Sequence, residues 1–349
     1  MKHSIIFIVP YYGSFPGYFR EWVYTAGFLD KEYIDFLLIT DIEIDFNLPT
    51  NFKVLNIGFD DFIKRAQEKF DFPIALTTPY KLCDFKPTLG YIFSEEIKSY
   101  DFWGNCDIDQ IWGSVRSYIS DDILENYDRI QFLGHFILYR NNTEINTLFM
   151  KKGAIYGYRQ VLSDPMHYSF CEHSGMMGIV IKNKVRNYLN VNYADLSPRY
   201  SRMIISRQPN YQYQIIYWEN GHVYRAFIND HGTVEKNEYM YFHFQTKHPI
   251  SLACWEVGGK PKRIIYNANG FIEDTEIDIT PHYIEKYSDF KSVAIDKAES
   301  RAYRNMKIKK FINSSFKKKK LWIKQRIATH QVIKHVEYFG KAYSNSNTQ

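Results

Sequence analysis

The sequence predicts an α/β fold with a mostly parallel central sheet, helices on both faces of that sheet and a basic helical C-terminal tail. Strand and helix patterns alternate from the first residues, as they do in Rossmann-like folds. The strands read as uninterrupted apolar runs, which indicates burial on both faces. Basic residues accumulate beyond residue 300, where acids are almost absent. These three observations define the expected architecture.

The first half of the chain supplies the parallel strands. An apolar run at residues 4–9 ends at Pro10, and a second run, Ile34–Thr40, ends at Asp41. An amphipathic helix is predicted over residues 18–29, and a third strand over residues 54–57. No G-x-G-x-x-G follows the first strand and no G-K-[ST] occurs, so the dinucleotide and P-loop classes lack their motifs.

The second half predicts a mixed, partly antiparallel sheet. Residues 79–93 have apolar residues near helical spacing, interrupted by Pro87, and residues 100–109 form an aromatic strand that ends in acids. A helix is predicted over residues 124–127. Further strands are predicted over residues 131–139, 177–181, 215–217, 222–226, 239–244 and Arg263–Asn267.

The charge is unevenly distributed along the chain. From Arg301 onward there are thirteen Lys and Arg and one acid, Glu337, in a chain of net charge +5, so this end carries +12 and the preceding residues −7. We therefore predict two regions, a catalytic domain over residues 1–300 and a basic amphipathic tail over residues 301–349.

Four scattered cysteines without a C-x-x-C pair argue against a zinc cage and against a disulfide framework, and they fit a reducing compartment. The N-terminal apolar run is too short for a signal peptide, and no stretch reaches membrane-spanning length. The expected location is cytoplasmic.

Asp107 and Asp109 are the strongest chemical signal. Alternate residues at a strand end point to the same side, so both carboxylates can face one cation. Mg²⁺ and Mn²⁺ take a few carboxylate oxygens and complete their shell with water and phosphates. The alternative is a pair of solvated turn carboxylates, which is common for an isolated D-x-D.

The segment PYKLCDFKPTLGYIF, followed by YDFWGNCDID, resembles the GT-A glycosyltransferases, especially bacterial families that assemble capsule, lipopolysaccharide and other surface polysaccharides. This resemblance implies a GT-A fold, an Mn²⁺ or Mg²⁺ cofactor held by Asp107 and Asp109, and a nucleotide diphosphate sugar as donor. It also implies that Lys81, Asp84 and Lys86 grip the donor sugar and its diphosphate.

The segment YFHFQTKHP is similar to the H-F-x-x-x-K-P segment of glycogenin-type transferases. The similarity implies that His243 is the third metal ligand and that Lys247 contacts the diphosphate. The spacing here is one residue shorter, and His248 stands between Lys247 and Pro249. The alternative for His243 is a packed core histidine.

The nucleotide is expected beyond the carboxyl ends of the strands, as in other open parallel sheets. Pro10, Tyr11 and Tyr12 follow the first strand and Asp41 follows the second. The resemblance implies that these loops hold the ribose and the base. Asp41 is alternatively a helix N-cap or a turn residue.

Glu172, in the segment FCEHSG, is the candidate catalytic residue, because the resembled enzymes often carry an acid facing the acceptor at this point. It would act as a general base in an inverting reaction, or only orient substrate in a retaining one. Asp164 and Asp195 are further candidates.

The tail at residues 301–326 combines many cations with Phe316, Trp322 and other apolar residues. A basic amphipathic helix with aromatic residues is typical of segments that bind anionic membrane surfaces. A peripheral position on the inner face of the cell membrane is expected. The alternatives are a solvated helix and nucleic-acid binding, and the apolar stripe favours the membrane.

Together these patterns predict a hexosyltransferase that moves a sugar from a UDP-sugar, such as UDP-galactose or UDP-glucose, to a growing or lipid-linked glycan. The alternative is a non-catalytic carbohydrate- or nucleic-acid-binding protein, which would not need a D-x-D with a distant histidine. A nucleotidyltransferase would need a glycine-rich loop after the first strand, which Gly13 and Gly17 alone do not make.

Overall fold

The structure is a computed structural model that describes residues 2–173, 175–245, 263–267, 270–274, 278–289 and 293–346. Its strands are β1 (Ile5–Pro10), β2 (Ile34–Thr40), β3 (Phe52–Asn56), β4 (Phe102–Cys106), β5 (Gln110–Trp112), β6 (Arg129–Ile130), β7 (Phe136–Arg140), β8 (Asn187–Tyr188), β9 (Ala194–Asp195), β10 (Gln214–Glu219), β11 (His222–Ile228), β12 (Val234–Tyr239), β13 (Tyr241–His243), β14 (Arg263–Asn267) and β15 (Gly270–Asp274). Its α-helices are α1 (Phe19–Gly27), α2 (Phe59–Gln67), α3 (Leu82–Phe85), α4 (Leu89–Ile92), α5 (Asp121–Asn126), α6 (Thr143–Asn146), α7 (Tyr158–Leu162), α8 (Met176–Lys182), α9 (Pro281–Tyr287), α10 (Val293–Ile312) and α11 (Phe316–Ser346).

A seven-stranded sheet forms the centre of the protein, in the order β3-β2-β1-β4-β7-β6-β8. Strands β3, β2, β1 and β4 are mutually parallel, β8 is parallel to β6, and β7 runs antiparallel to both of its neighbours. Within the described residues, β7 is therefore the one reversed strand of this sheet. The predicted α/β class with a mostly parallel central sheet is confirmed.

Strand β1 is apolar throughout because both faces of the sheet are covered. Ile5 and Phe7 pack on one side with Trp22 of α1, whereas Ile6 and Ile8 pack on the other side with residues of α2, α4 and α8. All four of these β1 side chains are fully buried. A strand buried on both faces has no polar alternation, which is why the continuous run predicted it correctly.

Two smaller sheets follow in the second half. One is antiparallel, in the order β12-β11-β10-β14-β15, and the other has three strands in the order β5-β13-β9. Residues 239–244, predicted as one strand, are divided between the two sheets, because β12 ends at Tyr239 and β13 begins at Tyr241. Strand β5 of the three-stranded sheet follows β4 directly in sequence, and this sheet builds the site described below.

Two further strand predictions are wrong. Residues 177–181 were expected to be a strand, but they lie in α8, where Met176, Met177, Ile179 and Val180 are buried at helical spacing. Short apolar runs do not distinguish a buried strand from a buried helix. Residues 131–139 were expected to be one strand, but residues 131–135 are a loop between β6 and β7, with Gln131 in the left-handed region at φ 69°.

The predicted helical C-terminal tail is present and packs on the body. Leu321 of α11 is buried in the core beside α8, and the Gln325 side chain donates a 2.6 Å hydrogen bond to the Tyr168 carbonyl. Arg202 forms a 2.6 Å ion pair with Asp296 of α10. The predicted boundary at residue 300 falls inside α10. Across the described ranges, none of the helices has the length and apolar character needed to cross a membrane.

Candidate metal and donor site

The carboxyl end of β4 places three polar side chains at alternate positions. Asn105 is the penultimate residue of the strand, and Asp107 and Asp109 continue the alternation beyond it. The Asp107 N–H donates to the His135 carbonyl at 3.2 Å, which fixes the backbone where the strand ends. The D-x-D therefore lies at the edge of the sheet where ligands bind in open α/β folds.

His243 reaches Asp109 through the pairing of β13 with β5. The register places His243 opposite Gln110, and the Phe244 N–H donates to the Asp109 carbonyl at 3.1 Å. As a result, the Nε2 atom of His243 lies 3.4 Å from Oδ1 of Asp109. Sheet pairing thus brings together residues that are far apart in sequence.

Strand β9 supplies a carboxylate to the other ring nitrogen. The parallel pairing of β13 with β9 sets Asp195 opposite His243, and Asp195 Oδ1 is 2.8 Å from His243 Nδ1. Gln245 donates to the same oxygen at 2.8 Å. A carboxylate on the far nitrogen of an imidazole is the usual support of a metal-binding histidine, because it fixes the ring and raises its basicity.

The charges around His243 shift its pKa upward. Burial alone lowers the pKa of His243, but the Asp109 and Asp195 carboxylates raise it to about 10. In the metal-free protein the ring is therefore protonated at neutral pH, and a cation that binds Nε2 has to displace that proton.

The donor set fits a divalent cation. One ligand atom each of Asp107, Asp109 and His243 lie within 4.8 Å of one another. Two carboxylates and an imidazole suit Mn²⁺, and Mg²⁺ accepts the same carboxylates with more water. A second set, His135, Asp195 and His243, meets the same distance condition. The residues present therefore fit the cofactor that the sequence predicted.

His135 lies in the loop at residues 131–135 and was not predicted as a site residue. Its ring stacks on that of His243 with centroids 4.3 Å apart, and Tyr241 Oη lies 3.0 Å from its Nδ1. Burial and the neighbouring His243 hold the pKa of His135 well below its ordinary value, so the ring is neutral. Its carbonyl accepts from Gln110 Nε2 at 2.7 Å, so this loop supports the metal site.

A cavity of about 400 Å³ lies beside the carboxylates, and Pro10, Tyr11 and Tyr12 line it from the end of β1. The hydroxyl of Tyr12 is buried without a hydrogen-bond partner among the described residues. Burial and the nearby Asp109 raise the pKa of Tyr11, which keeps its hydroxyl a neutral donor. The structure thus brings the predicted loop after β1 to the same cavity as Asp107 and Asp109.

Lys86 also lines the cavity. Its ammonium contacts the Asp107 carboxylate and donates to the Gly134 carbonyl at 3.0 Å. Burial lowers the pKa of Lys86, but the Asp107 carboxylate raises it by more than burial lowers it. The net pKa is raised, so the side chain stays charged. A cation at this point is suited to a diphosphate.

Lys81 and Asp84 lie elsewhere, so the prediction that they contact the donor is corrected. The Lys81 side chain is 1% exposed, and it donates to Asp84 and to the carbonyls of Val161 and Met166. Its three protons are therefore used inside the protein. Asp84 accepts in addition from the N–H groups of Tyr168 and Phe170. The pair anchors the loop before Glu172, which is a structural role.

Glu172 lies next to the loop that holds Lys86. A Cβ added to Gly134 would come within 3.3 Å of Glu172 Oε1 and 2.8 Å of Cys171 Sγ, so only glycine fits there. Burial raises the pKa of Glu172, the Lys86 ammonium opposes that shift, and the Asp107 carboxylate adds to it. A carboxyl with a raised pKa beside a cluster of charges has the properties of an acid–base catalyst.

The other sequence candidates are placed as follows. Asp164 accepts from Tyr168 Oη at 2.6 Å and pairs with Lys317 of α11, so it ties the tail to the body. Asp195 supports His243. Asp41 is exposed after β2 and does not line the cavity. It lies near Tyr12, and burial together with the Asp41 carboxylate raises the pKa of Tyr12. Lys247 lies outside the described residues.

The cavity also contains residues that the sequence analysis missed, namely Tyr18, Tyr80, Cys83 and Asn105. Asn105 was detectable, because it stands two positions before Asp107 in the same alternation. Its amide donates to the Gly134 carbonyl at 2.7 Å. The other three come from loops and short helical turns, whose side-chain directions follow from tertiary packing.

The fold and the site define an α/β protein with a candidate divalent-cation site at the carboxyl edge of its sheet. The chain belongs to the DUF6625 family, a family of unknown function whose profile matches residues 7–288. No protein with a curated description matches it.

Among solved structures, the chain is similar to the galactosyltransferase LgtC, crystallised in complex with donor and acceptor sugar analogs. The sequence identity is 12% and the TM-score 0.33, over 56% of this chain and 76% of that one.

Proposed function

We propose that the protein is a metal-dependent glycosyltransferase of the GT-A type, which transfers a sugar from a nucleotide diphosphate sugar to a glycan acceptor. One observation carries this proposal. Asp107, Asp109 and His243 come together at the edge of a cavity that also holds Lys86. A binding protein for neutral sugars has no need for such a set, whereas a diphosphate leaving group needs both a cation and a basic side chain.

Each protein group has a role in this reaction. Asp107, Asp109 and His243 would hold Mn²⁺ or Mg²⁺, and Asp195 positions His243. The chemistry that the cation supplies when bound is neutralisation of the charge that develops on the departing diphosphate. Lys86 adds a fixed positive charge on the same side of the cavity. Tyr11 and Tyr12 offer ring faces and hydroxyls to the nucleoside, for which a UDP-sugar is our candidate.

Glu172 is the proposed acid–base group. Burial raises the pKa of Glu172, which makes its carboxylate a stronger base, as activation of an acceptor hydroxyl requires. In a retaining reaction the same carboxylate would orient the acceptor.

We also propose that the protein works at the inner surface of the cell membrane on a lipid-linked or growing glycan. Eleven large apolar side chains are exposed among the residues that the structure describes, and seven of them lie between residues 295 and 327, in α10 and α11. Lysines and arginines are interleaved with them, which supports attraction to an anionic lipid surface.

A screen of nucleotide sugars tests the proposal. The purified protein is incubated with UDP-, GDP- and TDP-sugars in Mn²⁺ or in excess EDTA, and release of the nucleoside diphosphate is measured. We expect Mn²⁺-dependent release from one donor class. Asp109→Ala should lose it, while Asp164→Ala, a carboxylate outside the site, should keep it. Tight binding of a glycan without turnover of any donor would instead support a non-catalytic carbohydrate-binding protein.

A further inference from the structure

A second cavity, of about 760 Å³, lies between α10, α11 and the loop at residues 197–204. Six cations line this basic groove: Arg199, Lys297, Arg301, Arg304, Lys307 and Arg326. None of them forms an ion pair with an acid in the part of the chain that the structure describes. Asp296 is the acid among the described residues that line the groove, and it is already paired with Arg202 at 2.6 Å. The groove therefore has a large excess of positive charge.

The walls of the groove are held in place by the body. Asp296 forms a two-pronged contact with Arg202, with distances of 2.6 to 3.0 Å, and Glu299 accepts from the Ser201 N–H at 2.9 Å. The loop itself is closed by the pairing of Leu196 with Ile205. The cations are thus presented on an ordered scaffold, where guanidinium groups can bind phosphoryl oxygens with two hydrogen bonds each.

The groove continues into an apolar strip on the same helix face. Successive residues of the series Lys297, Arg301, Arg304, Ile308 and Ile312 are three or four positions apart. These five side chains therefore share one side of α10. Ile308 is 50% exposed and Ile312 61% exposed. A phosphoryl group in the groove would therefore have exposed aliphatic surface next to it. That combination matches a lipid headgroup better than a soluble phosphate.

We propose that the basic groove binds the terminal phosphate or diphosphate of an anionic lipid. The loop that forms one wall begins directly after Asp195, the carboxylate that positions His243. The lipid site and the candidate metal site are therefore two ends of one continuous segment. The binding step does not depend on the transferase proposal, because it is measured without turnover.

Vesicle binding tests the groove. Phosphatidylcholine vesicles carry either phosphatidic acid, with a terminal phosphate, or phosphatidylglycerol, with a bridging phosphate, at matched surface charge. We expect the wild-type protein to prefer phosphatidic acid about tenfold, a preference of the kind that guanidinium–phosphate pairing gives. Arg301→Gln with Arg304→Gln should abolish the preference. Lys318→Gln with Lys320→Gln removes the same charge outside the groove. This variant should bind both vesicle types more weakly to the same extent and keep the preference for phosphatidic acid.

The source of the phosphoryl group is separated by two further measurements. Inorganic pyrophosphate should compete only weakly with phosphatidic acid vesicles, and a single-stranded RNA oligomer should bind the wild type and the groove variant alike. All substituted residues are exposed, and unchanged thermal unfolding checks that the variants fold. Equal binding to both vesicle types, or full displacement by pyrophosphate, would overturn the proposal. So would RNA binding that requires Arg301 and Arg304.

Discussion

His243 is held between two carboxylates, one near each ring nitrogen. Asp195 fixes Nδ1 at 2.8 Å, and Asp109 faces Nε2 at 3.4 Å. This arrangement orders the ring before any cation arrives, so little conformational freedom is lost on binding. We therefore expect the residues around the candidate site to affect metal affinity as well as the proposed ligands themselves.

Replacement of Asp195 tests that support. Asp195→Asn keeps the size of the side chain but removes the negative charge beside Nδ1, so Mn²⁺ affinity should fall by about 10- to 100-fold. Titration with Mn²⁺, followed by the electron paramagnetic resonance signal of the free ion, measures this. Asp164→Asn, a paired carboxylate outside the site, should bind Mn²⁺ like the wild type. If the two variants behave alike, Asp195 has no special role.

Replacement of Glu172 distinguishes a role in proton transfer from a role in metal binding. Glu172→Gln keeps the shape but cannot accept a proton, so kcat should fall by about 10²- to 10⁴-fold. Mn²⁺ affinity should stay within about twofold, since Glu172 is not one of the proposed ligands. A kcat–pH profile of the wild type should rise with a pKa above that of an ordinary glutamate, in the direction that burial shifts Glu172. Unchanged kcat in the variant would show that Glu172 is not the acid–base group.

Helix α1 carries an unusual buried acid that the site does not use. Glu21 is fully buried, and neither carboxylate oxygen has a hydrogen-bond partner among the described residues. Burial raises the pKa of Glu21 from 4.5 to about 7. Because the folded state holds the proton more tightly, this group stabilises the fold fully below pH 4.5, and that contribution is lost as the pH rises through 7.

Glu21→Gln should therefore remove a pH dependence of stability. At pH 8 the variant should be more stable than the wild type by about 3 kcal/mol, and at pH 4 the two should be equal. Urea unfolding at both pH values measures the difference. Glu32→Gln is the matched control, since the buried Glu32 carboxylate accepts from Ser114 Oγ at 2.7 Å and the Arg116 N–H at 2.8 Å. That variant should lose stability at pH 8.

The elements show what the sequence could predict. Strand β2 was predicted with its observed bounds and β1 within one residue, because runs buried on both faces have a clear local signature. Helix α8 was mistaken for a strand, since its few buried residues fit either periodicity. The short helices near Pro87 were recognised as interrupted, but the inward direction of Lys81 depends on carbonyls about eighty residues away.

The candidate site likewise combines residues that a local sequence pattern reveals with residues that only tertiary packing brings together. Asp107 and Asp109 are local features of one strand end, so their pattern is visible in the sequence. The approach of His243 depends on the register of β13 between β5 and β9, and only the resemblance to known transferases indicated it. His135 reaches the site from a loop with no motif. Its contribution could not be derived without the packing of its ring against His243.

Over the whole molecule, an acidic body carries a basic, partly apolar C-terminal segment. Phe316, Ile323 and Ile327 of α11 are 83%, 53% and 56% exposed, and their spacing of seven and four residues places them on one helix face. Leu321, by contrast, is buried against the body. Within the described residues, α11 thus has both a docked face and an exposed apolar face.

Substitution of these exposed residues tests membrane attachment. Changing Phe316, Ile323 and Ile327 together to Ser should leave unfolding stability within about 0.5 kcal/mol, because none of the three is in the core. Vesicle binding in low salt should weaken, and the part that survives high salt should disappear, since salt screens charge but not apolar burial. Leu321→Ser is the control: because Leu321 is buried against the body, this variant should have a lowered thermal stability. Salt-resistant binding by the triple variant would show that this apolar face of α11 does not attach the protein to the membrane.

Binding of Mn²⁺ to the purified protein tests the central claim most directly. Electron paramagnetic resonance counts free Mn²⁺ in titrations of the wild type, Asp107→Ala, Asp109→Ala and His243→Ala, with Asp164→Ala as the control. We predict saturable binding by the wild type and the control, and its loss in the three site variants while their thermal unfolding stays cooperative. Saturable binding that survives in folded Asp107→Ala and Asp109→Ala would contradict the claim that these carboxylates hold the cation.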